Sequence, residues 1–304
     1  MEYIGIDISK RSFDIATSDK VYKFENTPKG FKEFYKICRK FDEVYCVCES
    51  TGGFELELAL FLSEKGVNIC VANPKHIKNF FRCIGLKAKT DMLDAQGIRM
   101  YAERMSDKLK LWKAPSKNAI LLKKYYRRRD DLLRMITQER NRFSFESDKE
   151  MIRFINKNIQ FMEQQISEVE SLMRKIVKDS PDIKKIYDMV VGIDGCGEVA
   201  GMGIVALMPE IGTFTRGEIA SIVGVAPFNN DSGTSVHKTR NIKEGRKHLR
   251  QKLYLPTMWA MKRNEHIKAF ADRLFDTGKP FKKVVIASMR KLLIYINSEA
   301  KKYA

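Results

Sequence analysis

The first 110 residues alternate between strand-like and helix-like spacings of their apolar positions. The segment EYIGIDISKRSFDIATSDKVYKFEN alternates apolar and polar positions with two polar breaks, which predicts three short strands in a meander. The stretches EVYCVCES and VNICVANP predict two further buried strands, and GFKEFYKICRKF, FELELALFLSEKG and DMLDAQGIRMYAERM have the spacing of helices. Strands alternating with helices in this way predict an α/β domain over residues 1–112.

The middle of the chain has a different period. Apolar residues recur there at alternating steps of three and four, the spacing of a heptad seam, at Ile152, Ile155, Ile159, Met162, Ile166, Val169, Met173 and Ile176. Such a seam needs a helical partner, either the preceding segment LLKKYYRRRDDLLRMITQERNRF folded back on it or a second copy of the chain. Both pairings remain open at this point. We predict a helical coiled-coil connector over residues 113–186.

Glycine and alanine become frequent after the connector, where a mainly α C-terminal domain is predicted over residues 187–304. MVVGIDGCGEVAGMGIVALMPEIGTF predicts two helices of small residues joined by a tight glycine turn. That turn either presents backbone N–H groups to phosphate, as in a helix-hairpin-helix, or only lets two helices pack closely. A turn-rich loop, a basic helix and an amphipathic C-terminal helix are expected to follow.

Charge indicates what kind of partner the chain has. The formal net charge is +18 and the pI is about 9.5, so polyanions are attracted to it and nucleic acid is the first candidate. A membrane surface is the competing polyanion, but no apolar run approaches the roughly 20 residues of a spanning helix, and MEYIGIDISK is not a signal peptide. The six cysteines have no paired CxxC spacing, and with the histidines they form no zinc pattern, which predicts reduced thiols in a cytosolic protein.

Four carboxylates suggest metal chemistry. Asp7 lies in the middle of the first predicted strand, Glu49 ends a buried strand, and Asp91 and Asp94 share one face at the start of a helix. Each has an ordinary explanation on its own, as a surface-facing strand residue, a turn or capping carboxylate, or a solvated first turn. Together they match the acids with which ribonuclease H-like folds bind divalent metal, where two Mg²⁺ ions would neutralise their charge.

Several motifs resemble one known family. GIDISK, CESTGGFE, NPKHIKNF and KTDMLDA are similar to the RuvC-like DEDD domain of transposases of the insertion-sequence one-hundred-and-ten family, which are close to the pilin-gene inverting recombinases. GIDGCGEVAGMGIVALMPEIGTF and GVAPFNNDSGTSVHKTRNIKEGRKHLRQKLY resemble the C-terminal domain of that family, which follows a coiled-coil connector. The resemblance covers nearly the whole chain and implies an RNase H-like (RuvC-like) fold for the first domain.

The resemblance also implies functional residues. Asp7, Glu49, Asp91 and Asp94 correspond to the catalytic acids that bind Mg²⁺ or Mn²⁺, and Ser232 corresponds to the nucleophile, with Ser235 as the second candidate. A hydroxyl nucleophile needs help to lose its proton, which bound metal and nearby cations supply. The window from His237 to Lys252 contains seven Lys or Arg against one Glu. We expect these basic residues to contact phosphate: Lys238, Arg240, Lys243, Arg246, Lys247 and Arg250.

The implied function is that of a transposase or site-specific recombinase in a prokaryotic cytoplasm, associated with the nucleoid. Its expected partners are donor and target DNA, an element-encoded guide (bridge) RNA, and further copies of the chain in a dimer or tetramer. Three alternatives remain. The first is a metal-only Holliday-junction nuclease in which water attacks. The second is an actin-like or sugar-kinase ATPase, although the second glycine-rich phosphate loop of that superfold is missing from the sequence. The third is a non-enzymatic nucleic-acid-binding protein, which would leave Asp7 unexplained.

Overall fold

The computed structural model describes residues 1–86, 90–232, 236–241 and 245–303. The chain divides into two compact units, Met1–Ala114 and Pro115–Ala304. Over the described parts of the chain, no helix combines the length and the apolar character that crossing a membrane requires.

The first unit is built on a five-stranded mixed sheet with the strand order β3-β2-β1-β4-β5. Strands β1 to β3 form an antiparallel meander, and β4 and β5 continue the sheet from β1 in parallel. This is the predicted arrangement of three strands followed by two crossovers. The strands are β1 (Glu2–Ile8), β2 (Ser12–Ala16), β3 (Val21–Glu25), β4 (Val44–Glu49) and β5 (Asn68–Ala72).

In the described part of the first unit, four helices cover the sheet, and local capping fixes where three of them begin. The Thr27 hydroxyl accepts a hydrogen bond from the Gly30 N–H, and the side chains of Asn73 and Thr90 cap their helices in the same way. Proline follows directly after Thr27 and Asn73 and occupies the first position of each helix. It is tolerated there because an N–H at that position has no partner within the helix. The helices are α1 (Pro28–Cys38), α2 (Leu56–Glu64), α3 (Pro74–Cys83) and α4 (Asp91–Arg104), followed by a 3₁₀ turn, Ser106–Lys108.

Alternation along the strands divides the sheet into two faces. Ile4, Ile6 and Ile8 of β1 are buried in the same cluster as residues of α1 and α2. Val47 of β4 lies on the opposite face, in a cluster with Ile98 of α4 and residues of α3. Because successive side chains of a strand point to opposite faces, Asp7 faces the α3 and α4 side.

The second unit begins with two long antiparallel helices, α5 (Lys117–Phe143) and α6 (Lys149–Lys178). Arg129 Nε lies 2.6 Å from Glu170 Oε1, and Arg140 Nη2 donates to Glu163 Oε1 at 2.9 Å. Met162 of the predicted seam is buried with side chains of α5. The seam therefore pairs within the chain, which answers the question that the sequence left open.

The remaining helices form the rest of the second unit. The helix α12 supplies much of the core, with Val284, Val285, Met289 and Leu292 fully buried. Between α7 and α8 lies the predicted glycine turn, where Gly195 has φ +94° and rests against the backbone of Ala260. The helices are α7 (Pro181–Val191), α8 (Glu198–Leu207), α9 (Arg216–Val223), α10 (Lys247–Arg263), α11 (Glu265–Asp276) and α12 (Phe281–Ala300), with a final 3₁₀ turn, Lys301–Tyr303.

One sequence-based prediction was wrong in this unit. The segment predicted as a turn-rich loop contains a β-hairpin, β6 (Pro227–Ser232) and β7 (Val236–Asn241), paired in antiparallel register. The segment PFNNDS is polar after Phe228 and lacks the alternation that identifies a half-buried strand. Backbone pairing with β7 defines this strand, and sequence periodicity does not report such pairing.

Candidate active site

Asp7 and Glu49 lie next to each other at the carboxyl ends of the neighbouring strands β1 and β4. In the parallel pairing of β1 with β4, Ile6 lies opposite Cys48, so Asp7 and Glu49 are the next residues along the two strands. Adjacent strands lie about 4.8 Å apart, and residues at the same level project to the same face. Both side chains are half-buried. The structure thus brings two of the four predicted acids together.

Helix α4 crosses this face of the sheet at Gly5. The Gly5 α-carbon faces the carbonyl of Ala95 and the N–H of Arg99 so closely that no side chain fits between them. Asp94 directly precedes Ala95 and is half-buried. The absence of a side chain at Gly5 is therefore what lets the acidic end of α4 approach the sheet.

The direction of α4 brings its first turn toward Asp7. Tyr101 near the C-terminus of α4 clusters with Tyr3 and Tyr45, near the amino ends of β1 and β4. The helix therefore runs antiparallel to β1, and its first turn, with Asp94, lies toward the carboxyl end of β1. The backbone of Asp91 is part of the same turn.

Replacing Gly5 with alanine is expected to destabilise the first unit and weaken metal-dependent activity together. The added methyl group would overlap backbone atoms of α4, and overpacking of this kind typically costs about 1–3 kcal/mol. Urea unfolding of the variant measures the stability, and DNA cleavage measures the activity. Gly217→Ala is the control, since Gly217, like Gly5, has no positive φ but has open space around it. An unchanged midpoint for Gly5→Ala would contradict the close crossing.

A fifth carboxylate, Asp14, lies beside Asp7 and was not singled out from the sequence. It is opposite Asp7 in the β1–β2 pairing and is only 4% exposed. The Lys23 ammonium lies 3.5 Å from its Oδ2 atom and neutralises it. The segment SFDIA carries the same signal as GIDIS, an acid between apolar strand residues. A buried carboxylate needs such a partner because losing water without compensation is costly.

The loop after β4 is held by Glu55, a second residue that sequence analysis missed. Its Oε2 atom accepts hydrogen bonds from the Thr51 hydroxyl at 2.8 Å and the Gly53 N–H at 2.9 Å, and Oε1 accepts from the Ser50 hydroxyl at 3.2 Å. Burial by itself would raise the pKa of Glu55, but these hydrogen bonds lower it below its usual value. Glu55 stays ionised and fixes the chain directly after Glu49.

Ser232 is the last residue of β6 in the second unit. It pairs with Val236, the first residue of β7. The structure describes its backbone. The second candidate, Ser235, lies outside the described residues.

The predicted phosphate-binding residues are distributed over β7 and the start of α10. The backbones of Lys238 and Arg240 belong to β7, and Lys243 lies outside the described residues. Lys247, in the first turn of α10, is exposed. These positions follow Ser232 closely in the chain.

The other two basic residues have contacts inside the protein. Arg246 donates to the Leu207 carbonyl at 2.9 Å and forms an ion pair with Glu210. Arg250 donates to the Val223 carbonyl at 3.0 Å. Both guanidinium groups therefore tie α10 to the ends of α8 and α9, a structural role that is present whether or not they also contact phosphate.

Comparison with known proteins places the two halves of the chain in one family. Residues 4–144 match the model of a DEDD transposase domain described as Transposase, and residues 188–272 match the model described as Transposase IS116/IS110/IS902 family. The chain belongs to the IS110 family of transposases. The first match spans the four predicted acids, and the second spans Ser232 and the basic residues after it.

Relatives of this IS110 transposase include two pilin gene-inverting proteins. It is similar to the pilin gene-inverting proteins of Moraxella lacunata and Moraxella bovis, with 26% identity over 302 residues, covering 96% of this chain and 93% of each relative. The resemblance inferred from the sequence motifs is confirmed. As a member of this transposase family, the protein is an enzyme that acts on DNA.

The donor chemistry of the acids in this IS110 transposase fits a divalent metal. Asp7, Glu49 and Asp94 offer the carboxylate oxygens that Mg²⁺ prefers. Among the side chains that the structure describes, which exclude that of Asp91, no three possible ligands already form a metal-binding group. Burial raises the pKa of the Cys46 and Cys48 thiols, which stay neutral in the core. The carboxylates are therefore the side chains here that would hold the ion.

Proposed function

We propose that this transposase cuts and rejoins DNA through a serine–phosphate intermediate. Ser232 is the nucleophile, and Asp7, Glu49, Asp91 and Asp94 hold Mg²⁺ or Mn²⁺. The observation that carries the proposal is the adjacent placement of Asp7 and Glu49 on the face crossed by α4. The family match supports it, because both matched regions contain the proposed groups.

The proposed reaction exchanges one phosphoester bond for another, so the number of phosphoester bonds does not change. The Ser232 oxygen attacks the scissile phosphorus, a bond forms between them, and the bond to one deoxyribose oxygen breaks. The serine proton leaves and the departing DNA oxygen gains one. Bound Mg²⁺ would neutralise the developing charge on the phosphate. Attack by the hydroxyl of another strand reverses the step and releases Ser232, so the exchange needs no nucleotide triphosphate.

We further propose that an element-encoded guide RNA selects the donor and target DNA. The net charge of +18 suits a protein that holds several polyanionic strands at once. The test is a recombination assay with labelled donor and target, with and without the RNA transcribed beside the gene. Recombination that persists at full rate without the RNA would exclude guidance.

Strand exchange also needs several cuts held together, for which we propose a homodimer or homotetramer. Large apolar residues that are exposed on α5 and α6 support association. The exposed fractions are 46% for Met135, 52% for Phe154 and 61% for Phe161. Light scattering of the purified protein with and without nucleic acid measures the oligomeric state.

The alternative function is a metal-only RuvC-like Holliday-junction nuclease with water as the nucleophile. The observation that favours it is that the first unit, Met1–Ala114, contains all four acids and excludes Ser232. A two-metal site can activate water without a protein nucleophile. A covalent protein–DNA adduct is formed only in the serine mechanism, so its detection distinguishes the two.

Lys247 provides a test of the proposed phosphate contacts. It is exposed, whereas replacing Arg246 or Arg250 would also break internal hydrogen bonds. We expect Lys247→Gln to reduce the slope of log K against log salt by about 0.9 for duplex DNA, the value for one phosphate contact. Lys178→Gln, at the exposed end of α6, is the matched control. If the salt slope for Lys247→Gln equals that for Lys178→Gln, the phosphate contact lies elsewhere than at Lys247.

A further inference from the structure

A groove of about 430 Å³ lies between α11 and α12, and its lining combines aromatic rings with cations. We call it the α11–α12 groove. One face of α11 supplies His266, Phe270 and Arg273, and α12 supplies Lys291 and Tyr295. Residues at these spacings project from the same side of a helix, so each helix presents its polar and aromatic groups to the same space.

Two cations lie close to one aromatic ring in this groove. The Cζ atom of Arg273 is 5.5 Å from the centroid of the Phe270 ring, and the Nζ atom of Lys291 is 5.9 Å from it. Both distances lie within the range of cation–π attraction. Tyr295 is 37% exposed, which leaves part of a second ring open to solvent. The groove therefore offers ring surface and positive charge at one place.

The surface around the groove has the same character. Residues 259–300 contain nine Lys or Arg against four Asp or Glu. Trp259, in the last turns of α10, is 50% exposed, with Lys262 Nζ 5.4 Å and Arg263 Cζ 5.0 Å from its ring centroid. A polyanion that reaches the groove would thus meet further cations and a further open ring.

We propose that the α11–α12 groove binds unpaired nucleotides of a nucleic acid strand. Bases would stack on Phe270 and Tyr295, and the phosphates on either side would pair with Arg273 and Lys291. Unpaired strands fit better than duplex because the faces of paired bases are already covered by their neighbours, whereas aromatic platforms stack exposed bases of any sequence. The groove is separate from the basic window His237–Lys252, and the proposal does not depend on the role of Ser232.

An equilibrium binding measurement tests the groove without any catalysis. The probe is a fluorescein-labelled oligothymidylate of about 12 nucleotides, titrated with full-length protein in EDTA and followed by anisotropy. We expect Phe270→Ala and Tyr295→Ala each to weaken binding by roughly tenfold, within the usual range for loss of one stacking ring. Binding to a blunt duplex of equal length should change by less than about twofold. Phe145→Ala removes a ring that is 93% exposed between α5 and α6 and is the matched control.

Phe270→Leu separates stacking from simple filling of the groove, since leucine is apolar and large but has no ring face. We expect it to lose as much oligothymidylate affinity as Phe270→Ala, while Phe270→Trp retains it. Wild-type affinity in Phe270→Leu would overturn the stacking proposal, and so would equal losses for duplex and single strand. Circular dichroism and urea unfolding confirm that the compared variants are folded.

Photo-crosslinking maps the contact directly. An oligothymidylate with one 5-iodouracil should crosslink to a peptide within residues 264–295. A crosslink confined to other peptides would overturn the assignment, as would displacement of the oligonucleotide by polyglutamate at equal charge concentration, which would indicate an acidic protein partner. These outcomes are independent of DNA cleavage, so failure of the groove and failure of the serine mechanism are distinguishable.

Discussion

Asp7→Asn is expected to abolish metal-dependent DNA cleavage while the protein still folds. The amide has nearly the shape of the carboxylate but lacks the charge that balances a divalent ion. Loss of groups that only orient a ligand typically costs 10- to 100-fold, so loss of a ligand itself should reduce the cleavage rate by at least about 100-fold. Cleavage of labelled DNA over a series of Mg²⁺ and Mn²⁺ concentrations measures this effect.

The matched control is Asp42→Asn, which makes the same chemical change at an exposed position before β4. It should cleave like the wild type. Asp94→Asn should resemble Asp7→Asn, and the double variant should be little worse than either, because groups that serve one site are not additive. Full activity of Asp7→Asn in Mg²⁺ would contradict the metal assignment.

Ser232→Ala is expected to reduce recombination by at least about 10⁴-fold, the scale on which removal of a nucleophile acts. The alanine lacks only the oxygen that attacks phosphorus, so DNA affinity and stability should stay close to those of the wild type. The measurements are a recombination assay with donor and target and a separate DNA-binding titration. Ser221→Ala, at an exposed position of α9, is the control.

The outcomes for Ser232→Ala divide the two candidate mechanisms. Cleavage that continues in this variant, with Asp7→Asn inactive, would favour the metal-only nuclease. Loss of both cleavage and recombination, with intact binding, supports the serine mechanism. Reduced binding in Ser232→Ala would assign the residue to DNA contact instead.

The architecture of the first unit was predictable because its strands and helices bury apolar residues with a clear period. The strands from Glu2 to Glu25 and the helices α1, α2 and α4 follow the apolar pattern, whereas α3 was not among the predicted helices. The heptad seam of α6 predicted a helical partner but could not identify it, since apolar spacing is the same for a partner in either chain. The pairing within the chain is revealed by contacts such as those of Arg129 and Arg140 with α6 and by the burial of Met162 against α5.

Less of the candidate site was predictable. The positions of Asp7 and Glu49 on strands were evident, but their proximity depends on the β1–β4 register, which the sequence does not state. Asp14 pairs with Lys23, which lies on another strand. Arg246 contacts Leu207, which is distant in the chain. Charge in a basic window therefore predicts the partner class better than it predicts which residues touch phosphate.

The most direct test of the serine mechanism is to identify the atom that becomes joined to DNA. Wild type, Ser232→Ala and Ser235→Ala are incubated with Mg²⁺, guide RNA and end-labelled DNA, and the products are separated on a denaturing gel. We predict a shifted covalent band in wild type and Ser235→Ala, absent from Ser232→Ala, whose tryptic peptide contains Ser232 linked to a nucleotide. DNA cut without any covalent band, or an adduct that persists in Ser232→Ala, would contradict the account.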